Sequence, residues 1–376
     1  MMKKHYLIIN LFLSSIISFA QQNPFYVGHS LVNQDMPAMT QALAVNASKT
    51  SSFGYQIING SSLQYNYNNA AGAQGTSFFN AFPAGNFNKL IVTEAVPLQN
   101  HLTWSASYQY ANNFYTYAKN NNSGKPLKFY IYETWHCINS GILGTNGTTY
   151  GCAYDDSQNS TLLWYPRLKA DFPLWTGIVN SVRSQNNTDT QIWMVPAGQA
   201  MYNLATLINA GSVPGISSIR ELFKDDIHLT NKGNYFIACV MFSCIYEQSP
   251  QGLTNSLNTI YGTAYDDMPT TAQATIMQRI AWDTVTSLSS WTGIQSLDVV
   301  EFNKDKKAIV YYIKNHLLTL DFKAFDPKNI NIFNALGQKV LSAVTNETHV
   351  VIDVSGLATG VYYMKNNQTN VGKFSR

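Results

Sequence analysis

Phe25-Tyr26-Val27-Gly28-His29-Ser30-Leu31 sets the reading of the whole chain. A short apolar run gives out at a glycine, a serine follows two residues later, and residues 36–47 then read as a helix. A serine on the turn between a strand and a helix stands at the carboxyl end of its strand, where open α/β sheets build their sites. The alternation continues downstream. Residues 55–58, 89–93, 129–132 and 192–195 are short apolar runs bounded by turn residues, while residues 104–119, 165–184 and 235–246 read as helices. Strands this uniformly apolar belong to a parallel sheet covered on both faces. Strands alternating with helices predict a doubly wound α/β domain over residues 21–285.

Both ends of the chain have a different texture. Lys3 and Lys4 precede an apolar run, and Ser18-Phe19-Ala20 puts small residues where a signal peptidase reads, so residues 1–20 are expected to be a signal peptide cleaved after Ala20. That run is shorter than the roughly 20 residues a membrane-spanning helix needs, and residues 235–246 are shorter still, so no transmembrane helix is expected after signal removal. Near Thr286-Ser287-Leu288-Ser289-Ser290 the helical texture stops, and residues 286–295 are expected to be a linker. Beyond it apolar residues alternate with a period of two (Ile330 and Ile332, then Val350, Ile352 and Val354), predicting a small all-β sandwich over residues 296–376.

Export permits disulfides. Cys137 and Cys152 bracket a Gly/Asn/Thr-rich loop that a disulfide could close, a pairing the sequence leaves open; Cys239 and Cys244 lie in the apolar helix as buried thiols. There is no zinc-type spacing.

Composition narrows the ligand. Charged residues make up 12% of the 376-residue chain, about half of the roughly 25% usual for soluble domains. The net charge of +3 is no footprint for nucleic acid. The surplus also lies outside the α/β domain: residues 296–376 hold 10 basic and 7 acidic side chains, and residues 21–295 hold 12 and 14. A domain poor in charge and rich in Asn, Ser and aromatic residues suits a neutral, polar substrate.

The chemistry is carried by two distant segments. Asp225-Asp226-Ile227-His228-Leu229-Thr230-Asn231-Lys232-Gly233-Asn234 places a histidine at the entry to a helix with an aspartate three residues earlier. Such a pair can act as base and orienter for a serine nucleophile. With Gly28-His29-Ser30-Leu31, this resembles the SGNH or GDSL hydrolase superfamily over residues 23–248. The resemblance implies a flavodoxin-like three-layer α/β/α fold, a Ser30, His228, Asp225 triad and an oxyanion hole built from the Ser30 N–H, a glycine N–H and an asparagine. Gly60, after the second strand, occupies the glycine's place. Two departures stand out. The usual aspartate before the serine is His29, and the Gly-x-Asn-Asp turn of the third block is replaced by Thr93-Glu94-Ala95-Val96-Pro97-Leu98-Gln99-Asn100, which leaves the asparagine donor unassigned.

His29, Glu94, Glu133, Trp135 and His136 lie at strand ends and are expected to shape the site or contact substrate. His29, His136 and His228 show no ligand spacing, so neither metal nor other cofactor is expected. The reading is a secreted or cell-surface serine esterase, a carboxylic ester hydrolase that removes acyl groups from a small-molecule or polysaccharide ester. The rival is a catalytically weak carbohydrate-binding protein on the same fold.

At the other end, Ile332-Phe333-Asn334-Ala335-Leu336-Gly337-Gln338-Lys339-Val340 and Asp353-Val354-Ser355-Gly356-Leu357 lead to a final hairpin. These segments resemble the C-terminal sorting domain of the type IX secretion system of Bacteroidota. The resemblance implies that the type IX machinery is a partner and that the chain crosses the outer membrane.

Overall fold

The computed structural model describes residues 21–33, 35–142, 152, 155, 157–295, 309–322, 328–366 and 369–376, so the expected signal peptide lies outside the described residues. The chain divides into two compact units, Met1–Ser296 and Leu297–Arg376.

The first unit is a sheet with helices on both faces. In chain order its elements are β1 (Pro24–Gly28), α1 (Asp35–Asn46), β2 (Gly54–Ile57), α2 (Leu63–Asn68), β3 (Gln74–Gly75), α3 (Phe78–Ala81), β4 (Lys89–Val92), α4 (Leu98–Trp104), α5 (Ser107–Asn121) and β5 (Lys128–Glu133). There follow α6 (Trp164–Gln185), β6 (Ile192–Pro196), α7 (Ala197–Asn209), α8 (Asn231–Tyr246), α9 (Thr271–Ser287) and α10 (Ser289–Thr292). The strand order is β3-β2-β1-β4-β5-β6, parallel throughout except for the short edge strand β3. Successive residues of a strand point to opposite faces, so β1 feeds two cores. Tyr26 joins the helices α1, α7, α8 and α9, while Phe25 and Val27 join α2, α3, α5 and α6. Both layers take apolar side chains, which is why these strands show no alternation in the sequence.

The chain leaves β1 for β2 on one side and then crosses to β4 on the other, so the switch point and its carboxyl-end crevice lie between β1 and β4. α8 closes the layer behind it. Every residue from Gly233 to Tyr246 is buried, including the free thiols of Cys239 and Cys244. Its lack of a polar face follows from its place between α1 and α9.

Three expectations meet a definite outcome. The helix expected at 104–119 is broken: α4 ends at Trp104, and Ala106, with φ 47° in the left-handed region, stops the helical path before α5 begins. The expected linker 286–295 is part of the α/β unit. α9 runs through its start, α10 follows, and Thr292 and Ile294 are buried, with Gly293 so close to the Trp193 ring that a Cβ would lie 2.7 Å from it. Cys137 and Cys152, whose pairing the sequence left open, form a disulfide.

The second unit has two antiparallel sheets. Its strands are β7 (Ile309–Lys314), β8 (Leu317–Phe322), β9 (Lys328–Asn334), β10 (Lys339–Thr345), β11 (His349–Asp353), β12 (Val361–Asn366) and β13 (Thr369–Ser375), ordered β10-β9-β12-β13 and β11-β8-β7. The period-two residues Ile330, Ile332, Val350, Ile352 and Val354 all enter its core with Leu318, Leu320 and Tyr362. Gly337, at φ 76°, turns the β9–β10 hairpin. Among the described residues no helix is long and apolar enough to cross a membrane.

Candidate active site

Ser30 stands on a turn that begins at the carboxyl end of β1, where the Val32 and Asn33 N–H groups both donate to the His29 carbonyl. The turn needs the glycine before it. A Cβ on Gly28 would lie 2.6 Å from a Val32 methyl and 2.7 Å from the Thr93 methyl, so a side chain there would push the turn away from β4. Asn33 ends the turn and starts α1, its Oδ1 accepting from the Asp35 and Met36 N–H groups at 2.7 and 3.0 Å.

The histidine arrives on a loop that folds on itself. Phe223 and Leu229 form an isolated antiparallel bridge, the Lys224 N–H donates to the His228 carbonyl at 2.9 Å, and the Thr230 N–H donates to the Leu222 carbonyl at 2.9 Å. Inside the loop Asp225 makes an aspartate turn: Oδ1 accepts from the Ile227 N–H at 2.9 Å and the His228 N–H at 2.7 Å. Its other oxygen, Oδ2, lies 2.8 Å from His228 Nδ1, and His228 Nε2 lies 2.8 Å from Ser30 Oγ. A carboxylate can only accept, so Nδ1 carries the proton and Nε2 is the acceptor facing the serine hydroxyl. Burial opposes the charge on Asp225, but the donors from His228 and Ile227 outweigh it and hold the carboxyl at about 2. It is a carboxylate at any physiological pH.

These residues line a cleft of about 760 Å³. Among its described lining residues only Ile57 and Leu229 are apolar; Asn33, Asn59, Asn231 and Asn234 supply amides, and Asp35, Asp266 and Asp267 supply carboxylates. Asp266 accepts from the Asn231 amide at 2.5 Å, Asp267 pairs with Lys232 at 3.0 Å, and Asp35 accepts from the Tyr265 hydroxyl at 3.0 Å. The segment before α9 is thus tied to the wall of the cleft.

Gly60 lies on an exposed turn at φ 69°, and among the described residues no hydrogen bond takes up its N–H or that of Ser30. From this turn it is Asn59 that lines the cleft. The five residues expected to contact substrate do not line it. His29, Glu94, Glu133, Trp135 and His136 are all buried, none more than 4% exposed. They sit at strand ends, as expected, but point into the layers rather than outward. Glu94 Oε1 accepts from the Leu63 and Ala95 N–H groups at 3.0 and 2.8 Å, and burial pushes its carboxyl up to about 7. Glu133 accepts from the Gln199 backbone and side chain at 3.1 and 2.8 Å and is pushed by burial to about 8. His136 has Nε2 3.4 Å from Asp155 Oδ2; burial, with Arg167 adding to it, lowers the ring to about 4. His29, His136 and His228 share no site, and no group of metal-binding side chains occurs among the described residues.

Sequence reasoning missed most of the wall. Asn59 could have been found beside Gly60, and Asn231 and Asn234 within the quoted histidine segment. Asp266 and Asp267 carry no motif.

No curated protein matches the chain significantly. Among solved structures, a DUF4886 family protein from Bacteroides uniformis is similar at 18% identity and a TM-score of 0.49, over 70% of this chain and 95% of that one. TesA is similar at 12% identity and a TM-score of 0.33, over 58% of this chain and 94% of that one. A DUF3244 family protein with an immunoglobulin-like β-sandwich fold, from Bacteroides vulgatus, shares 20% identity over 19% of this chain and 87% of that one, at a TM-score of 0.17. The family match lies at the C-terminus: residues 314–375 fit the secretion system C-terminal sorting domain, which implies export across the outer membrane, to the cell surface or into the medium.

Proposed function

We propose that the α/β unit is a serine-dependent ester hydrolase acting on acylated, hydroxyl-rich compounds such as saccharides. The observation that carries this is His228, whose two ring nitrogens each lie 2.8 Å from a partner, Ser30 Oγ on one side and Asp225 Oδ2 on the other. In this reading Ser30 Oγ attacks the ester carbonyl while its proton passes to His228 Nε2, and the Asp225 carboxylate stabilises the imidazolium. The proton then goes to the departing alcohol as the acyl-enzyme forms. A water, deprotonated by the same nitrogen, attacks that acyl group and releases the acid and Ser30. The N–H groups of Ser30 and Gly60 hold the oxyanion, and the Asn59 carboxamide, on the cleft wall beside Gly60, supplies the donor that the third block lacks. The strand order β2-β1-β4-β5-β6 is that of flavodoxin-type sheets, which place ligands at this crevice.

The polar lining supports the substrate class. A long fatty acyl chain would meet amides and carboxylates along a wall whose described residues include two apolar ones. The rival reading, a binding protein with little turnover, draws on Glu94, which stands in the third block and is wholly buried. Purified full-length protein assayed on p-nitrophenyl acetate and on an acetylated polysaccharide separates the two. Turnover abolished by Ser30→Ala is expected; turnover that survives it rules out the mechanism, and retention of the polysaccharide without turnover favours the rival.

A further inference from the structure

The turn that carries Asp225 and His228 is gripped from outside. Its two middle carbonyls each accept a hydrogen bond from the segment that follows β5. The Ile138 N–H donates to the Asp226 carbonyl at 2.7 Å, and the Trp135 indole N–H donates to the Ile227 carbonyl at 2.8 Å. Trp135 is 2% exposed, so packing fixes the direction of its N–H. Between these two donors lies Cys137, bonded to Cys152. The chain beyond Cys152 is held in turn by the buried Arg167 of α6, which reaches Asp155 Oδ2 at 2.9 Å, Ser157 Oγ at 2.8 Å and the Asn159 carbonyl at 2.9 Å. Its Nε is held by Asp171 at 2.8 Å.

We infer that Trp135 is a positioning residue for the Asp225–His228 pair, and that the Cys137–Cys152 disulfide locks it in place, so that the site reaches its working geometry only after the disulfide has formed. Thiols stay reduced in the cytoplasm; outside it, thiol–disulfide exchange with an oxidised dithiol takes up the two electrons and two protons that Cys137 and Cys152 lose as their bond forms. The chain therefore assembles its site only after it has left the cytoplasm. The inference rests on the hydrolase reading for its effect on rate, though not for its geometry.

The test uses the full chain as oxidised wild type, wild type reduced with tris(carboxyethyl)phosphine, Trp135→Phe, and the Cys137→Ser/Cys152→Ser double variant. Two readouts are taken: kcat and KM on p-nitrophenyl acetate, and the far-downfield proton resonance of His228 Nδ1–H bonded to Asp225. Displacing a reacting group by about 1 Å costs on the order of 10²-fold in rate. In the reduced protein and both variants kcat is expected to fall by about 10–10²-fold with KM nearly unchanged. The resonance is expected to broaden or vanish, and reoxidation of the wild type to restore both signals. Folded Trp135→Phe or reduced protein that keeps kcat and resonance overturns the inference, as does absence of the resonance from oxidised wild type. If the double variant does not fold, Trp135→Phe and the reduced protein decide. If the wild type hydrolyses no ester, the hydrolase reading fails, and the resonance alone decides the clamp.

Discussion

The His29 ring joins two loops behind the nucleophile: Nε2–H donates to the Glu94 carbonyl at 3.1 Å, while Nδ1 accepts from the Leu31 N–H at 3.3 Å. Both nitrogens are committed in this way only in the neutral ring, and burial lowers its pKa to about 4. The imidazole next to Ser30 is therefore a fixed brace rather than a second base. It does at that position what an aspartate could also do, accepting from the backbone of the serine turn.

Glu94 gives the stability an unusual pH slope. Its carboxyl rises from an ordinary 4.5 to about 7 through burial, so between these values the folded chain keeps a proton that the unfolded chain has lost. The stability linked to that proton is complete below about 4.5 and is lost as the pH rises through about 7. Glu94→Gln keeps the acceptor for Leu63 and Ala95 and is expected to flatten the slope by up to about 3 kcal/mol. Thermal melts of both proteins from pH 4 to 8 check it; parallel curves would show that Glu94 titrates alike in the folded and unfolded chain.

Asp225→Asn removes the charge that fixes the His228 tautomer while keeping the size of the side chain. It is expected to lower kcat by about 10³–10⁴-fold with little change in melting temperature. Steady-state kinetics with circular dichroism checks both halves. A loss below tenfold would remove Asp225 from the mechanism.

Gly60 has open space around its Cβ position and a φ of 69°. Gly60→Ala therefore meets no clash, only the left-handed backbone penalty of about 1–2 kcal/mol. Alanine keeps the backbone N–H, so kcat/KM should change by no more than about tenfold, whereas Asn59→Ala, which removes a donor, should cost about 10²-fold or more. Asn59→Ala, measured beside it, reports the donor proposed for the missing third-block asparagine.

Deletion of residues 297–376 tests delivery apart from chemistry. The shortened chain is expected to keep its specific activity and to be lost from the cell surface and medium, as fractionation and immunoblotting would show. Surface exposure without these residues would contradict the role of the sorting domain.

The strands were legible because burial on both faces leaves an uninterrupted apolar run, and the two site segments because a nucleophile turn and an Asp-x-x-His loop are local devices. The inward-facing acids and histidines were not. Glu133 and His136 occupy strand-end positions from which a side chain could enter either the cleft or the layer, and in the layer they meet Gln199 and Asp155, which come from other parts of the chain. Asp266 and Asp267 reach the cleft through ties to Asn231 and Lys232, 35 residues away along the chain in each case, which no local pattern announces. The break between α4 and α5 was hidden because an alanine gives no warning of a positive φ.

β1 is the first strand among the described residues and lies inside the sheet, while the base that would arm its serine lies 198 residues further on. At about 5–20 residues per second, translation needs on the order of 10–40 s to span that distance. During that interval the nascent polypeptide carries an unarmed hydroxyl. The same separation makes closure of the site one of the most non-local events in folding, to be completed late, after the local strand pairs have formed. A protein meant to act outside the cell is thereby kept silent through its own synthesis by the order of its residues.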